Sequence, residues 1–191
     1  MRAKAELRET LSAARAARVP DPAADLARAV RSLAACAGVA TVAAYAARPG
    51  EPGTRPLIDA LFAADVRVLL PLLGSEPDWA WYTGADHLVA GRRGILQPDG
   101  PSLGAGALGA AGFIWLPGLA GTPDGRRLGT GGGWYDRALE WGRPDAIRGL
   151  LLFDDEVLDD VPTQSWDQPV DLIVTERRRI DCGNTGDAIP G

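Results

Sequence analysis

Short, nearly continuous apolar runs alternate along the chain with stretches whose apolar residues return every three or four positions. Residues 39–46, 66–70, 113–116, 147–153 and 172–174 read as strands, because an apolar run too short for a helix suits a strand buried on both faces. Helical spacing marks residues 2–18, where Leu7 and Leu11 sit one turn apart, and also 21–36 and 54–64. Pro20 and Pro22 separate the first two helices and leave Asp21 as an N-cap; Thr54 is the matching cap candidate before Pro56. Residues 78–83 alternate aromatic and small side chains, as an extended segment lining a cleft would. Residues 98–112 read as a loop, 134–139 as a helix and 154–160 as a short helix or turn. Strands alternating with helices predict an α/β fold with a mainly parallel sheet covered on both faces. One domain over 1–180 and a flexible tail over 181–191 are expected.

Composition narrows the function classes. Of 191 residues, 46% are hydrophobic and 24% charged, the balance of a soluble globular domain. A net charge of −5 disfavours a nucleic-acid partner. With one histidine, His87, and two separated cysteines, Cys36 and Cys182, neither a zinc site nor a disulfide framework is expected. No run approaches the roughly 20 apolar residues of a membrane span. Glu6 and Glu9 argue against a transit peptide at the basic N-terminus, so the cytoplasm is the expected compartment.

The chemistry concentrates after the 113–116 strand. Pro117 and Gly118 end it. Arg126 and Arg127 then precede Gly129, Gly131, Gly132 and Gly133, and Asp136 follows at a helix start. Glycines let backbone N–H groups approach an anion, and a helix N-terminus favours negative charge. Glycine content alone leaves a plain turn equally good; the arginines and the carboxylate favour a polyphosphate cradle. No G-K-[ST] and no third dinucleotide glycine is present, so neither a P-loop nor a Rossmann fingerprint applies.

The segment 116–120, then Gly125, Arg127-Leu128-Gly129 and Gly131-x-Gly133-Trp134-Tyr135-Asp136-Arg137, resembles the signature of 5-formyltetrahydrofolate cyclo-ligases. Lys4-x-x-x-Arg8, Glu51-Pro52-Gly53-Thr54, Gly94-Ile95-Leu96-Gln97-Pro98 and Trp166-Asp167 are similar to further elements of that family. The resemblance implies a three-layer α/β/α fold of the sugar-phosphate isomerase and CoA-transferase type. It also implies ATP- and magnesium-dependent ring closure of 5-formyltetrahydrofolate in one-carbon metabolism by a monomer.

By the resemblance, ATP is held by Lys4, Arg8, Arg127, Leu128, Gly129, Thr130, Gly131, Gly132, Gly133, Trp134 and Tyr135, with Lys4 and Arg127 catalytic. The folate falls to Ala46, Glu51, Thr130, the glycines and Trp134, and magnesium to Asp136 and Asp167. On the residues alone, Lys4 and Arg8 are better read as an amphipathic helix's solvated face, Asp167 as a turn aspartate and Glu51 as exposed, while Asp136 can charge the helix start and hold magnesium at once. Trp79, Trp81 and Tyr82 are folate walls or core; Arg92 and Arg93 meet a glutamate tail or solvent. Thr130, Gln97 and Gly121-Thr122 depart from the family pattern, so a non-catalytic nucleotide- or folate-binding relative is the second reading.

Overall fold

The computed structural model describes residues 2–164 and 167–183. Helix α1 (Arg2–Ala16) ends before the prolines, and α2 (Pro22–Ala35) begins where Asp21 Oδ1 accepts from the Ala23 and Ala24 amides. Helix α3 (Arg55–Ala63) has Thr54 at its N-cap position, but the Thr54 side chain makes no capping hydrogen bond. Its buried hydroxyl donates to the Tyr45 carbonyl at 2.6 Å and accepts from the Ala47 amide at 3.0 Å, fastening the turn after the first strand to the helix start.

The strands are β1 (Thr41–Ala43), β2 (Arg67–Pro71), β3 (Trp79–Trp81), β4 (Leu88–Ala90), β5 (Leu96–Pro98), β6 (Phe113–Leu116), β7 (Ala120–Gly121), β8 (Arg127–Leu128), β9 (Ile147–Leu151), β10 (Leu172–Val174) and β11 (Arg179–Asp181). Seven of them form the central sheet in the order β11-β10-β9-β6-β1-β2-β3. The inner pairs are parallel, while β3 and β11 close the two edges antiparallel.

Alternate residues of each inner strand enter opposite cores. Val42, Val68, Leu70, Phe113, Trp115, Leu151 and Val174 meet Leu57, Ile58 and Leu61 of α3. Ala43, Leu69, Ile114, Leu116, Leu150 and Ile173 face the other way, onto Leu108 and Leu139. That second layer consists of a 3₁₀ segment, Ala105–Ala110, and α4 (Trp134–Leu139). The chain is thus the expected three-layer α/β/α sandwich with both sheet faces buried. Helix α1 belongs to neither core: Leu7 and Leu11 pack on a small third cluster of Leu119, Ala120, Leu128 and Val161 around the β7–β8 hairpin. Most of the expected tail, residues 184–191, and Trp166 lie outside the described residues.

Candidate active site

One cleft of about 550 Å³ opens at the carboxyl ends of β1, β2 and β6, where Tyr45, Pro71 and Pro117 face it. From β1 the chain passes to β2 on one side while β6 pairs on the other. The cleft therefore sits where the strand order reverses, the usual ligand position in open α/β sheets.

Seven lysine and arginine side chains line it against the carboxylates of Glu51, Asp136 and Asp167, in a chain whose net charge is −5. The cleft is thus a positive hollow in a negative protein, which suits a polyanion.

Lys4 and Arg8, one turn apart on α1, both reach this hollow. The solvated-face reading of Lys4 is corrected: it is only 6% exposed, and its Nζ donates to Asp167 Oδ2 at 2.6 Å. Arg8 Nε donates to the Gly129 carbonyl at 2.8 Å, so α1 is tied to the glycine loop. Arg127 is buried, with donations to the Pro117 carbonyl at 3.1 Å and to Asp136 Oδ1 at 2.7 Å, and its Nε has no partner. Burial lowers its pKa, offset in part by Asp136 and Asp167. Arg126 points away, bound to Asp124 and Asp160 at the surface. Asp167 Oδ2 also accepts from the Gln164 amide at 2.7 Å.

Gly129, Thr130, Gly131, Gly132 and Gly133 form the floor between these cations. Gly131 (φ +100°) and Gly133 (φ +64°) occupy backbone regions that favour glycine. Leu128 is a correction: its side chain is fully buried in the third cluster, away from the cleft. The anion field also owes less to a helix terminus than expected, because α4 has six residues and little dipole to sum. Trp134 and Tyr135 line the cleft and pack on the cores beneath it.

Ala46 and Glu51 line the same cleft. Glu51 is not the free turn residue its sequence context suggested. It accepts from the Arg48 amide at 2.9 Å and from the Arg48 guanidinium at 2.5 and 2.9 Å, and its side chain is 7% exposed. Tyr45 and Tyr135 lie nearby; burial first, then the charge of Glu51, raises both phenol pKa values and keeps them neutral. Arg48 was missed in the sequence, although its i, i+3 spacing to Glu51 was a readable signal. Arg137 was missed as well: it lines the cleft and donates to the Ser75 carbonyl at 3.2 Å.

Trp79, Trp81 and Tyr82 do not wall the cleft. Trp79 is buried edge-on to Trp134 at 5.5 Å, and the Tyr82 hydroxyl donates to Asp59 at 2.5 Å. Arg92 and Arg93 stand exposed on the cleft rim. Of the unusual positions, only Thr130 touches the cleft. Gln97 lies against Gly91, and Gly121 is pressed so close to Leu150 and Ile173 that a Cβ would meet them at 2.7 and 3.0 Å.

Residues 1–176 match the model of the 5-formyltetrahydrofolate cyclo-ligase family. The chain belongs to that family. It is 34% identical over 135 residues to the 5-formyltetrahydrofolate cyclo-ligase of Mycolicibacterium smegmatis, covering 67% of this chain and 69% of that protein. Identity to the Escherichia coli K12 cyclo-ligase is 31% over 127 residues, or 64% and 70% of the two chains. The NMR structure of Aquifex aeolicus 5,10-methenyltetrahydrofolate synthetase superposes with a TM-score of 0.80 at 26% identity, covering 98% of this chain and 96% of that one. A Mycoplasma pneumoniae 5,10-methenyltetrahydrofolate synthetase shares the fold with a TM-score of 0.70 at 18% identity, over 91% and 98% of the chains. The cyclo-ligase signature of this chain, residues 116–137, supplies the end of β6, the β7–β8 hairpin, the glycine loop and the start of α4.

The burial of Lys4 changes what its removal should do. Lys4→Ala leaves Asp167 without its ion partner and is expected to lower stability by roughly 1–2 kcal/mol. Arg8→Ala gives up one hydrogen bond, about 0.5–1.5 kcal/mol. Either change should raise the apparent KM for ATP about tenfold, the scale of one lost charge-assisted contact. Thermal melts and initial rates measure both effects, and an unaltered ATP KM in the double variant would remove α1 from the nucleotide site.

Proposed function

We propose that this chain converts 5-formyltetrahydrofolate and ATP to 5,10-methenyltetrahydrofolate, ADP and phosphate. The observation that carries the reading is one cleft lined by Lys4, Arg8 and Arg127, by the glycine loop and by Glu51. ATP lies with its phosphates over Gly129–Gly133, and the pterin meets Glu51, whose carboxylate suits the ring's amino and N–H donors. The formyl oxygen attacks the γ-phosphorus as the bond to ADP breaks. N10 then adds to the activated carbon and loses its proton, and the C–O bond breaks so that phosphate leaves with the former formyl oxygen. No protein nucleophile is needed. The three cations bind and align the phosphoryl oxygens and offset the charge that develops there.

Asp136 and Asp167 are hard oxygen donors suited to magnesium. Among the described residues no group of three or more His, Cys, Asp or Glu side chains could hold a metal. Two carboxylates plus phosphate oxygens and water are the usual set for magnesium bound with a nucleotide. The ion would supply charge neutralisation on the phosphates. Each carboxylate now carries a cation, Asp136 with Arg127 and Asp167 with Lys4. On ligand binding we expect both cations to turn to phosphate oxygens.

A monomer is part of the same proposal. The cationic cluster is confined to a cleft, which fits a small anion better than a nucleic acid. No described helix is long and apolar enough to cross a membrane; the cytoplasm, where ATP and reduced folates meet, is the proposed compartment.

The test is the near-ultraviolet absorbance of the methenyl product from the purified chain with ATP, magnesium and 5-formyltetrahydrofolate. Product formation dependent on all three is expected. ATP binding without product would favour the non-catalytic reading, for which Thr130 in the cleft wall is the motive, and would make Thr130 the first position to alter.

A further inference from the structure

Helix α1 carries two of the cations proposed for the triphosphate, yet it is held in an unusual way. Over residues 3–16, only Lys4 and Arg15 are buried, and both are charged. The middle of the helix rests on Leu7 and Leu11 against the third cluster. Besides that packing and the bond from Arg8 to the Gly129 carbonyl, its orientation depends on its two buried ends. At one end Lys4 meets Asp167, a contact that must loosen when Lys4 turns to phosphate.

The other end has a stiffer joint. Arg15 makes a bidentate fork on Glu156, Nε to Oε1 and Nη2 to Oε2, both at 2.7 Å, and Glu156 is 2% exposed. Glu156 Oε2 is itself fixed by the Phe153 amide at 3.1 Å. Arg15 Nη2 also donates to the Gly118 carbonyl at 2.6 Å, next to the Pro117 carbonyl that Arg127 grips. The loop that ends β6 is thus clasped from two sides by arginines, one on α1 and one from β8.

A buried ion pair is poor evidence of net stabilisation, since an apolar pair of similar volume often serves as well. What a planar fork adds is direction. Lys4 lies about 16 Å along the helix from Arg15 at 1.5 Å per residue, so a tilt of roughly 10° at Arg15 would displace Lys4 by about 3 Å. Misplacement on that scale disables a group that must meet phosphate oxygens.

We propose that Arg15, locked by Glu156 and the Gly118 carbonyl, is a positioning residue that sets the angle of α1 and so places Lys4 and Arg8 on the nucleotide phosphates. The proposal rests on the cyclo-ligase reading for what the helix is aimed at, but not for the anchor itself.

Two conservative variants test it: Arg15→Lys, which keeps the charge and loses the fork, and Glu156→Gln, which keeps the shape and loses the charge. In the ligand-free protein, hydrogen exchange at α1 amides should quicken about tenfold while β6 and β9 amides stay unchanged. The KM for ATP should rise about fivefold or more, with that for 5-formyltetrahydrofolate within about twofold. A general loss of structure would move both constants and all amides together, and that result overturns the proposal, as does unaltered α1 exchange. The apolar double change Arg15→Met/Glu156→Leu guards against misfolding. It should keep the melting temperature yet leave the ATP KM raised; a restored KM means that packing alone aims the helix. If none of the three folds, Arg15 is a folding residue and the positioning role is withdrawn. The exchange measurement needs no turnover, so an inactive unaltered chain would refute the catalytic reading without touching the anchor.

Discussion

Asp136→Asn is expected to cut turnover by roughly a hundredfold or more, the scale seen when one charge-stabilising group leaves an active site. The substitution keeps the size and most hydrogen bonding of the side chain and removes its charge. Two consequences should separate. In the ligand-free protein Asp136 is the ion partner of buried Arg127, at 2.7 Å. Losing it leaves that guanidinium with the Pro117 carbonyl and only the charge of Asp167 nearby, which costs about 1–3 kcal/mol once the partial exposure of Asp136 is discounted. The melting temperature should therefore fall by several degrees. If Asp136 holds magnesium as proposed, raised magnesium should recover part of the rate and none of the ligand-free stability. The double variant Arg127→Gln/Asp136→Asn should regain most of the stability and no turnover. A fully active Asn variant with ordinary magnesium dependence would leave Asp136 as a partner of Arg127 and nothing more.

The pattern of apolar runs was enough to read the layers. Phe113–Leu116 and Leu172–Val174 form with the expected bounds, because burial on both faces leaves a three- or four-residue apolar run no other role. The edge strand β11 did not show, since Arg179-Ile180-Asp181 carries a single apolar residue and pairs through its backbone. The hairpins β4–β5 and β7–β8 escaped for the same reason: two or three residues per strand give no period to detect. Local polarity misled in the site. Lys4 stands on an amphipathic helix among charged residues and Glu51 in a Pro/Gly turn, contexts that normally mean solvent. Their burial follows from partners far along the chain or from a tight turn, Asp167 for the lysine and Arg48 for the glutamate. The aromatic alternation at 79–82 marks an extended segment, and of its two readings, cleft wall or core, the core holds: β3 is an edge strand whose Trp79 fills the space beside Trp134. What linked distant residues correctly was the family resemblance, which placed Lys4, Glu51 and the glycine loop at one site before any geometry did.

The glycine loop offers the sharpest separation of backbone from ligand effects, because its three central glycines are constrained differently. At Gly131, φ is +100°, and a Cβ would lie 3.4 Å from Arg8 Cζ. Gly131→Val therefore combines a conformation that β-branched residues avoid with displacement of Arg8, a cation proposed for the nucleotide. It should abolish measurable ATP binding while costing about 1–3 kcal/mol of stability. Gly133, at φ +64° and ψ 7°, is in the left-handed region that asparagine tolerates. Gly133→Asn should consequently fold almost as well as the unaltered chain, whereas Gly133→Val should not. Gly132 has no positive φ, and nothing lies within 4 Å of a Cβ built on it. Nothing in the protein resists Gly132→Ala, so its melting temperature should be unchanged. Any loss of ATP affinity there measures only the space and the N–H approach that the phosphates require. We expect that loss to be about tenfold or more, comparable to one displaced charge-assisted hydrogen bond. Calorimetric titration with ATP and magnesium beside a thermal melt distinguishes the cases. If Gly132→Ala and Gly131→Val both bind ATP normally, the loop is only the turn that joins β8 to α4, and the phosphates must be sought elsewhere in the cleft.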